Sequence, residues 1–424
     1  MSDLKKMYHT LQQDSFPQDL TLTLGDQTIC FTKKTWSIDG ESKGLRYGEN
    51  PDQPAALYEI TSSTFTLDGV TFQQGQHKLV SALTEENLIQ SGKHPGKINL
   101  TDVDNGINIL QYLTAKPAAV ILKHNNPCGA AWDEAGLHQA LSKAFAADRI
   151  AAFGGTIVVN QPVDAACATF ITSSYFEVIA APDFDAASLD ILTTKKNLRI
   201  IRIPALSHLQ DMLGTPFLDI KSLVDGGLII QTSFQNRILS SQNFLPAQAS
   251  KDDRTVLART PTPQEADDLV FAWAVEAGVT SNSIIFVRNG ATVAIGTGEQ
   301  DRVGCVEITI HKAYSKYADK LAFAQCGCSL YELGQKAETD AALARTLEQI
   351  QAQTVADKGG LPGSVLVSDG FFPFRDGVDL AIAQGVTAIA QPGGSIRDVE
   401  VIQAVNQATP QVAMVFTGQR SFKH

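Results

Sequence analysis

Short apolar runs alternate with amphipathic helical stretches along most of this chain, from "AAVIL" at 118–122 to "VAMVF" at 412–416. That alternation limits the possible folds more than any other feature. An apolar run bounded by turn residues suits a strand buried on both faces, and a 3.6-residue apolar stripe suits a helix laid over it. Repeated in series, the two call for an α/β architecture. In "DEAGLHQALSKAFAADRI" at 133–150, Leu137, Leu141, Ala144 and Phe145 share one helical face. "AAFGGTIVVN" reads as a turn feeding a buried strand, and "YFEVIAAPDF" as another strand. In "TPTPQEADDLVFAWAVEAGV", Thr262 is the expected N-cap, Pro263 the first helical residue and Glu265 the partner in a capping box. Gly278 is the expected stop. Residues 312–360 read as helical and polar, with Leu343, Leu347 and Ile350 as the apolar stripe, before "DKGGLPGS" breaks the run. Twice an apolar strand runs into an Asn-Gly or Gly-rich turn before a helix, an echo too weak to name a sequence repeat.

At 424 residues the chain has room for two or three domains. Its 34 basic and 45 acidic residues leave a net charge of −11, which speaks against nonspecific binding to nucleic acid or an anionic membrane. No apolar run reaches the length of a membrane span. The opening "MSDLKKMYHTLQQD" lacks the apolar core and cleavage site of a signal peptide, so a cytoplasmic protein is expected. Six cysteines at this length read as reduced thiols.

The densest chemistry lies at "ILKHNNPCGAA", 121–131. Adjacent residues on a strand point to opposite faces, so Lys123 and His124 can serve one site only if the strand ends there, as "NNPCG" indicates. A histidine accepts a proton near neutral pH and a lysine offsets developing negative charge. The same residues also suit a plain turn with a surface lysine, and locally both readings stand. Cys128 invites a zinc-deaminase reading, but His124 is not followed by x-Glu and no second cysteine follows Cys128. Metal catalysis is therefore disfavoured. "QPGGSIRDVE" offers a glycine turn with Ser395 and Asp398 placed like an N-cap box, whose backbone N–H groups could form an anion-binding nest. At the C-terminus "TGQRSFKH" follows a strand directly, with Arg420 suited to a phosphate or merely part of an exposed basic end.

Taken in order, "LRYGENP" at 45–51, "KHNNPCG" at 123–129, "AFGG" at 152–155, "EVIAAP" at 177–182, "SNSI" at 281–284, "GTGEQDR" at 296–302, "SDGFFPFRDGVD" at 368–379, "QPGGSIRD" at 391–398 and "TGQRSFKH" at 417–424 resemble the AICAR transformylase part of the bifunctional purine-biosynthesis enzymes. The resemblance runs from about Leu45 to His424. It implies formyl transfer from 10-formyltetrahydrofolate to the ribonucleotide AICAR, with no catalytic metal. His124 would be the base and Lys123 the oxyanion stabiliser. Arg46, Tyr47, Gly154, Glu177, Asn282, Arg302 and Arg420 match nucleotide-binding positions; Val303, Phe371, Asp376, Ser395 and Ile396 match folate-side positions. The implied fold is two cytidine-deaminase-like α/β subdomains without zinc, expected over 1–210 (joined by 312–360) and 211–424. The implied assembly is a homodimer with sites built across the subunit interface.

Two departures from the family pattern stand out. Only 45 residues precede Arg46, so a cyclohydrolase domain is not expected and ring closure would fall to another protein. Asp52 stands where the family has a histidine, and 310–360 is unlike familiar members. Competing readings are a formyltransferase or deaminase acting on a related ribonucleotide, and a catalytically idle nucleotide- or folate-binding module. The Lys-His pair, Asn282 and Arg420 speak against idleness. No P-loop is visible to bind ATP for a direct use of formate.

Overall fold

The computed structural model describes residues 15–424 except 39, 62–63, 68, 74, 76, 93 and 252–253. Contacts divide the chain into two compact units: 1–114 with 154–235, and 115–153 with 236–424. Strands and helices alternate as the apolar patterning requires, in a mixed α/β fold.

In the first unit β1 (Leu88–Gln90) precedes helix α1 (Lys97–Leu110). In the second unit β2 (Ala118–Lys123) and β3 (Asn126–Trp132) form a hairpin followed by α2 (Leu137–Ala147). The first unit resumes with β4 (Thr156–Val159), α3 (Ala165–Thr172), β5 (Val178–Ala181), α4 (Ala186–Leu192) and β6 (Arg199–Arg202). Within that unit β4, β5 and β6 are parallel and β1 pairs antiparallel with β6. A separate antiparallel sheet of Asp19–Leu24, Gln27–Lys34 and Leu57–Ile60 belongs to the same unit.

The second unit continues with β7 (Leu245–Pro246), α5 (Pro263–Glu276), the hairpin β8 (Ile284–Arg288) and β9 (Ala291–Gly296), and the long α6 (Arg302–Cys326). Helices α7 (Leu330–Ala337) and α8 (Ala341–Ala356) follow. Then come β10 (Val365–Ser368), α9 (Asp376–Ala383), β11 (Ala388–Gln391), α10 (Asp398–Gln407) and β12 (Ala413–Phe416). Among the described residues, the eight strands it gives to one sheet lie in the order β7-β12-β11-β10-β8-β9-β3-β2. β10, β11 and β12 are parallel and β7 closes the edge antiparallel.

The weak echo in the sequence is plain in the order of elements. Both 88–202 and 245–416 run edge strand, helix, hairpin, helix, and then three strands separated by two helices, with α7, α8 and a hairpin at 248–257 added to the second. Local signals placed these elements well. Thr262 caps α5 in a capping box with Glu265, and Pro263 opens the helix. Leu137, Leu141, Ala144 and Phe145 are all buried. The Leu343-Leu347-Ile350 stripe packs on Leu333 and Ala322. Cys326 ends α6, and Gly327 is its left-handed cap.

Residues 115–153 pack within the second unit, where β3 pairs with β9 as well as with β2. Gly129 lets α2 press onto this hairpin, since a Cβ there would lie 2.0 Å from Ala144 O. Among the described residues, no helix is long and apolar enough to cross a membrane.

Candidate functional site

The apolar strand β2 is buried to Leu122, and the chain reverses immediately afterwards. Asn126 pairs back to Lys123, so His124 and Asn125 alone make the turn. Both have positive φ, +57° and +60°, which a two-residue hairpin of the I′ kind requires. A non-glycine residue in this region bears a steric cost of roughly 1–2 kcal/mol, and the residue here is a histidine. Its ring is exposed and makes no hydrogen bond to any described residue. Lys123 is half-buried and donates to Phe153 O at 2.8 Å. Asn126 accepts from Thr280 N at 2.9 Å, tying the turn to the loop before β8. Lys423 Nζ donates to Gly278 O at 3.1 Å and Asn125 O at 3.4 Å. The turn thus delivers a free imidazole and a tethered ammonium to one edge.

Next to Thr280 lies Asn282, whose Oδ1 accepts from Arg302 Nη2 at 2.9 Å. Arg302 opens α6 and is 9% exposed; its Nη1 donates to Ser283 O at 3.0 Å and to Asp369 Oδ1. Ser281 Oγ donates to the other oxygen of Asp369, and Ser283 Oγ to Glu276. Burial, reinforced by the charge of Asp369, raises the Glu276 carboxyl well above the usual carboxylate range.

The C-terminal segment is docked here. Ser421, 2% exposed, donates its N–H to Asp369 O at 3.1 Å, and Ser281 N–H reaches Lys423 O at 2.9 Å. Arg420 is exposed, its guanidinium 5.4 Å from the Phe371 ring and 5.6 Å from Phe422. An exposed cation held over aromatic faces is presented to solvent at fixed orientation.

Among the residues expected on the folate side, Val303 and Phe371 are half-buried, while Asp376 is exposed where α9 begins. Ile396 is 93% exposed, a bare apolar side chain at the "GGSIRD" turn. The N-cap box expected of Ser395 and Asp398 forms differently. Asp398 opens α10 and reaches backward to accept from Gly394 N at 2.8 Å and Ser395 N at 3.1 Å, and Ser395 Oγ accepts from Arg397 N. Those two N–H groups are taken, so they supply no open anion nest.

The first unit gathers its own cluster. Arg46 and Tyr47 are each 9% exposed; the guanidinium lies 4.5 Å from the Tyr47 ring and donates to its hydroxyl at 2.7 Å. Glu177 accepts from Asn99 at 3.2 Å and faces Arg199 at 3.6 Å. Burial pulls Arg199 down to about 10, opposed by the Glu177 charge. The Nε atoms of Arg46 and Arg199 are both buried without partners. Gly154 has φ +73°, and a Cβ there would meet the Tyr175 ring at 3.5 Å. Arg199 and Asn99 escaped the sequence reading, as did Asp369, although "SDGFFPF" contains it. A buried ion pair leaves no local pattern to find.

Among the described residues no three His, Cys, Asp or Glu side chains are grouped as a metal would need. All six cysteines are free thiols.

A family model described as AICARFT/IMPCHase bienzyme matches residues 5–312. The chain is also similar to the bifunctional purine biosynthesis protein PurH of Magnetococcus marinus, with 36% identity over 383 residues. That match covers 90% of this chain and 59% of the relative, so the chain spans about three fifths of the length of the protein it matches.

Proposed function

Because the chain belongs to the AICARFT/IMPCHase bienzyme family of purine biosynthesis, we propose that it carries the formyl-transfer half of that chemistry, from 10-formyltetrahydrofolate to AICAR. The observation that carries this reading is the Lys123-His124 turn, where an exposed imidazole without a partner occupies a left-handed position that ordinary turn chemistry would give to Asn or Gly.

In this reading the substrate's amine attacks the formyl carbon. A C–N bond forms, charge collects on the formyl oxygen, and the Lys123 ammonium offsets it. His124 takes the proton that the amine loses. The bond from the formyl carbon to folate N10 then breaks, and N10 takes up a proton. An arylamine deactivated by a neighbouring carboxamide is a poor nucleophile, so orientation and oxyanion stabilisation supply much of the rate.

The nucleotide is assigned to Arg46, Tyr47, Gly154, Glu177, Asn282, Arg302 and Arg420, and the folate to Val303, Phe371, Asp376, Ser395 and Ile396. The spare buried Nε donor of Arg46 supports the first assignment; the bare Ile396 side chain supports the second. A pair of cytidine-deaminase-like subdomains fits the repeated order of elements, and cytoplasmic residence goes with the same reading. A homodimer is supported by the hairpin of Leu218–Ser222 and Leu228–Thr232, which exposes Ile220, Leu223, Val224, Leu228 and Ile229. Equilibrium sedimentation of the parent and of Val224→Asp with Leu228→Asp tests the dimer; monomeric behaviour of the parent rejects it.

The deciding experiment gives the purified chain AICAR with either 10-formyltetrahydrofolate or formate plus ATP, and identifies the product by mass. Formylated AICAR from the folate donor alone is expected. Binding of AICAR without turnover on either donor would instead mark a nucleotide-binding module, and a deaminated product would mark a deaminase.

A further inference from the structure

Asp369 follows β10 directly and is completely buried, yet it lies among residues assigned to the nucleotide. A carboxylate out of water needs its partners fixed, and here they are. Oδ1 accepts from Arg302, Oδ2 from Ser281, and the main-chain oxygen from Ser421. Glu276, the other buried carboxyl nearby, accepts from Ser283 through one oxygen, and its other oxygen has no hydrogen-bond partner.

A guanidinium is planar, and its donors form a rigid fork. Holding Nη1 on Asp369 and Ser283 O therefore fixes where Nη2 points, and Nη2 holds Asn282 Oδ1. Space confines the fork as well, since a Cβ at Gly370 would lie 2.6 Å from Nη2. An asparagine amide whose oxygen is held by a cation turns its Nδ2 donors away from that cation. Released from Arg302, the same amide can rotate and offer an acceptor instead.

We propose that Asp369 is a positioning residue which, acting through Arg302, orients the Asn282 amide so that the site meets its nucleotide with an N–H donor at that place. Ser281 and the docked segment Ser421–Lys423 belong to the same lock. The identity of the nucleotide as AICAR rests on the formyl-transfer reading; the lock itself does not.

The test is a double-mutant cycle on the full chain, with AICAR binding measured by calorimetry. Asp369→Asn should raise Kd about tenfold in the parent and less than twofold in the Asn282→Ala background, because coupled residues are non-additive. Equal effects in both backgrounds overturn the lock. Should Asp369→Asn not fold, Ser281→Ala keeps the ion pair and frees one oxygen of Asp369; a smaller loss, again seen in the parent and absent from the Asn282→Ala background, is expected, and no loss in the parent overturns the proposal. If the parent does not bind AICAR, the formyl-transfer reading fails, and a crystal structure of either variant decides the lock separately. Asn282 should leave Arg302; retention of that contact in the variant overturns the proposal.

Discussion

Two hairpins of the second unit make the same turn with different residues. At 288–291 the chain reverses through Asn289 and Gly290, φ +53° and +68°; at 123–126 it reverses through His124 and Asn125, φ +57° and +60°. Asn-Gly is the sequence such a turn prefers. Its two N–H groups are received by the buried Asp268, at 2.9 Å and 2.7 Å, and Gly290 O accepts from Trp132. Everything about that turn serves the fold. In the other a histidine occupies the strained position, its ring is exposed, and a lysine stands before it. Equal backbone geometry with unequal residues marks the place where, on the proposed reading, stability is given up for chemistry.

The largest effect expected comes from erasing that difference. Replacing His124→Asn together with Asn125→Gly writes the structural turn into the functional place. kcat should fall by roughly 10²–10⁴, the range for a general base, while thermal unfolding moves upward by the equivalent of about 1 kcal/mol. Steady-state kinetics and calorimetric melts read the two together. Undiminished kcat would return the Lys-His pair to a plain turn.

Lys123→Ala should lower kcat by about 10²–10³ as oxyanion stabilisation is lost, with KM for AICAR little changed. Arg420→Ala should do the reverse, since a phosphate clamp acts on ground and transition states alike. A Lys123 variant altered only in KM would make the lysine a binding group.

The converse swap, Asn289→His with Gly290→Asn, should destabilise the protein by about 2 kcal/mol. A Cβ at Gly290 would lie 2.4 Å from the Trp132 indole, so the structural turn cannot accept the functional residues. Denaturant melts showing no loss would mean that the two turns are interchangeable.

The smallest effect is a slope in pH. Asp268 and Glu276, both on α5, are raised by burial, Asp268 beneath the structural turn and Glu276 beside Ser283. The folded state holds their protons more tightly than the unfolded chain does. Their contribution is therefore fully present below the ordinary carboxylate range and is lost as pH rises through the folded pKa. Glu276→Gln should flatten that decline, seen as a gain at pH 8 relative to the parent that vanishes at pH 4. A parallel offset at both pH values would show that Glu276 is ionised throughout.

Much of this was legible in the residues. The periodicity of 137–145 and the capping box at Thr262 are short-range signals, set within one or two helical turns, and the structure follows them. The turn at 123–126 was legible too, because His-Asn-Asn-Pro after an apolar run has nowhere else to go. The "GGSIRD" reading failed for a reason of the same scale: Asp398 can cap forward or reach back, and its carboxylate took the two N–H groups behind it.

The sequence by itself determined which elements form, in what order, and that a lysine and a histidine end a buried strand, because periodicity, capping and turn chemistry act between near neighbours. Only the tertiary structure decided what those residues touch. Asp369 and Arg302 stand 67 residues apart, Asn126 and Thr280 stand 154 apart, and the docked Lys423 stands 142 from Ser281. Contacts at such separations leave no local trace, since either partner alone reads as an ordinary polar residue. They become necessary only when packing has removed water from both and left each to satisfy the other.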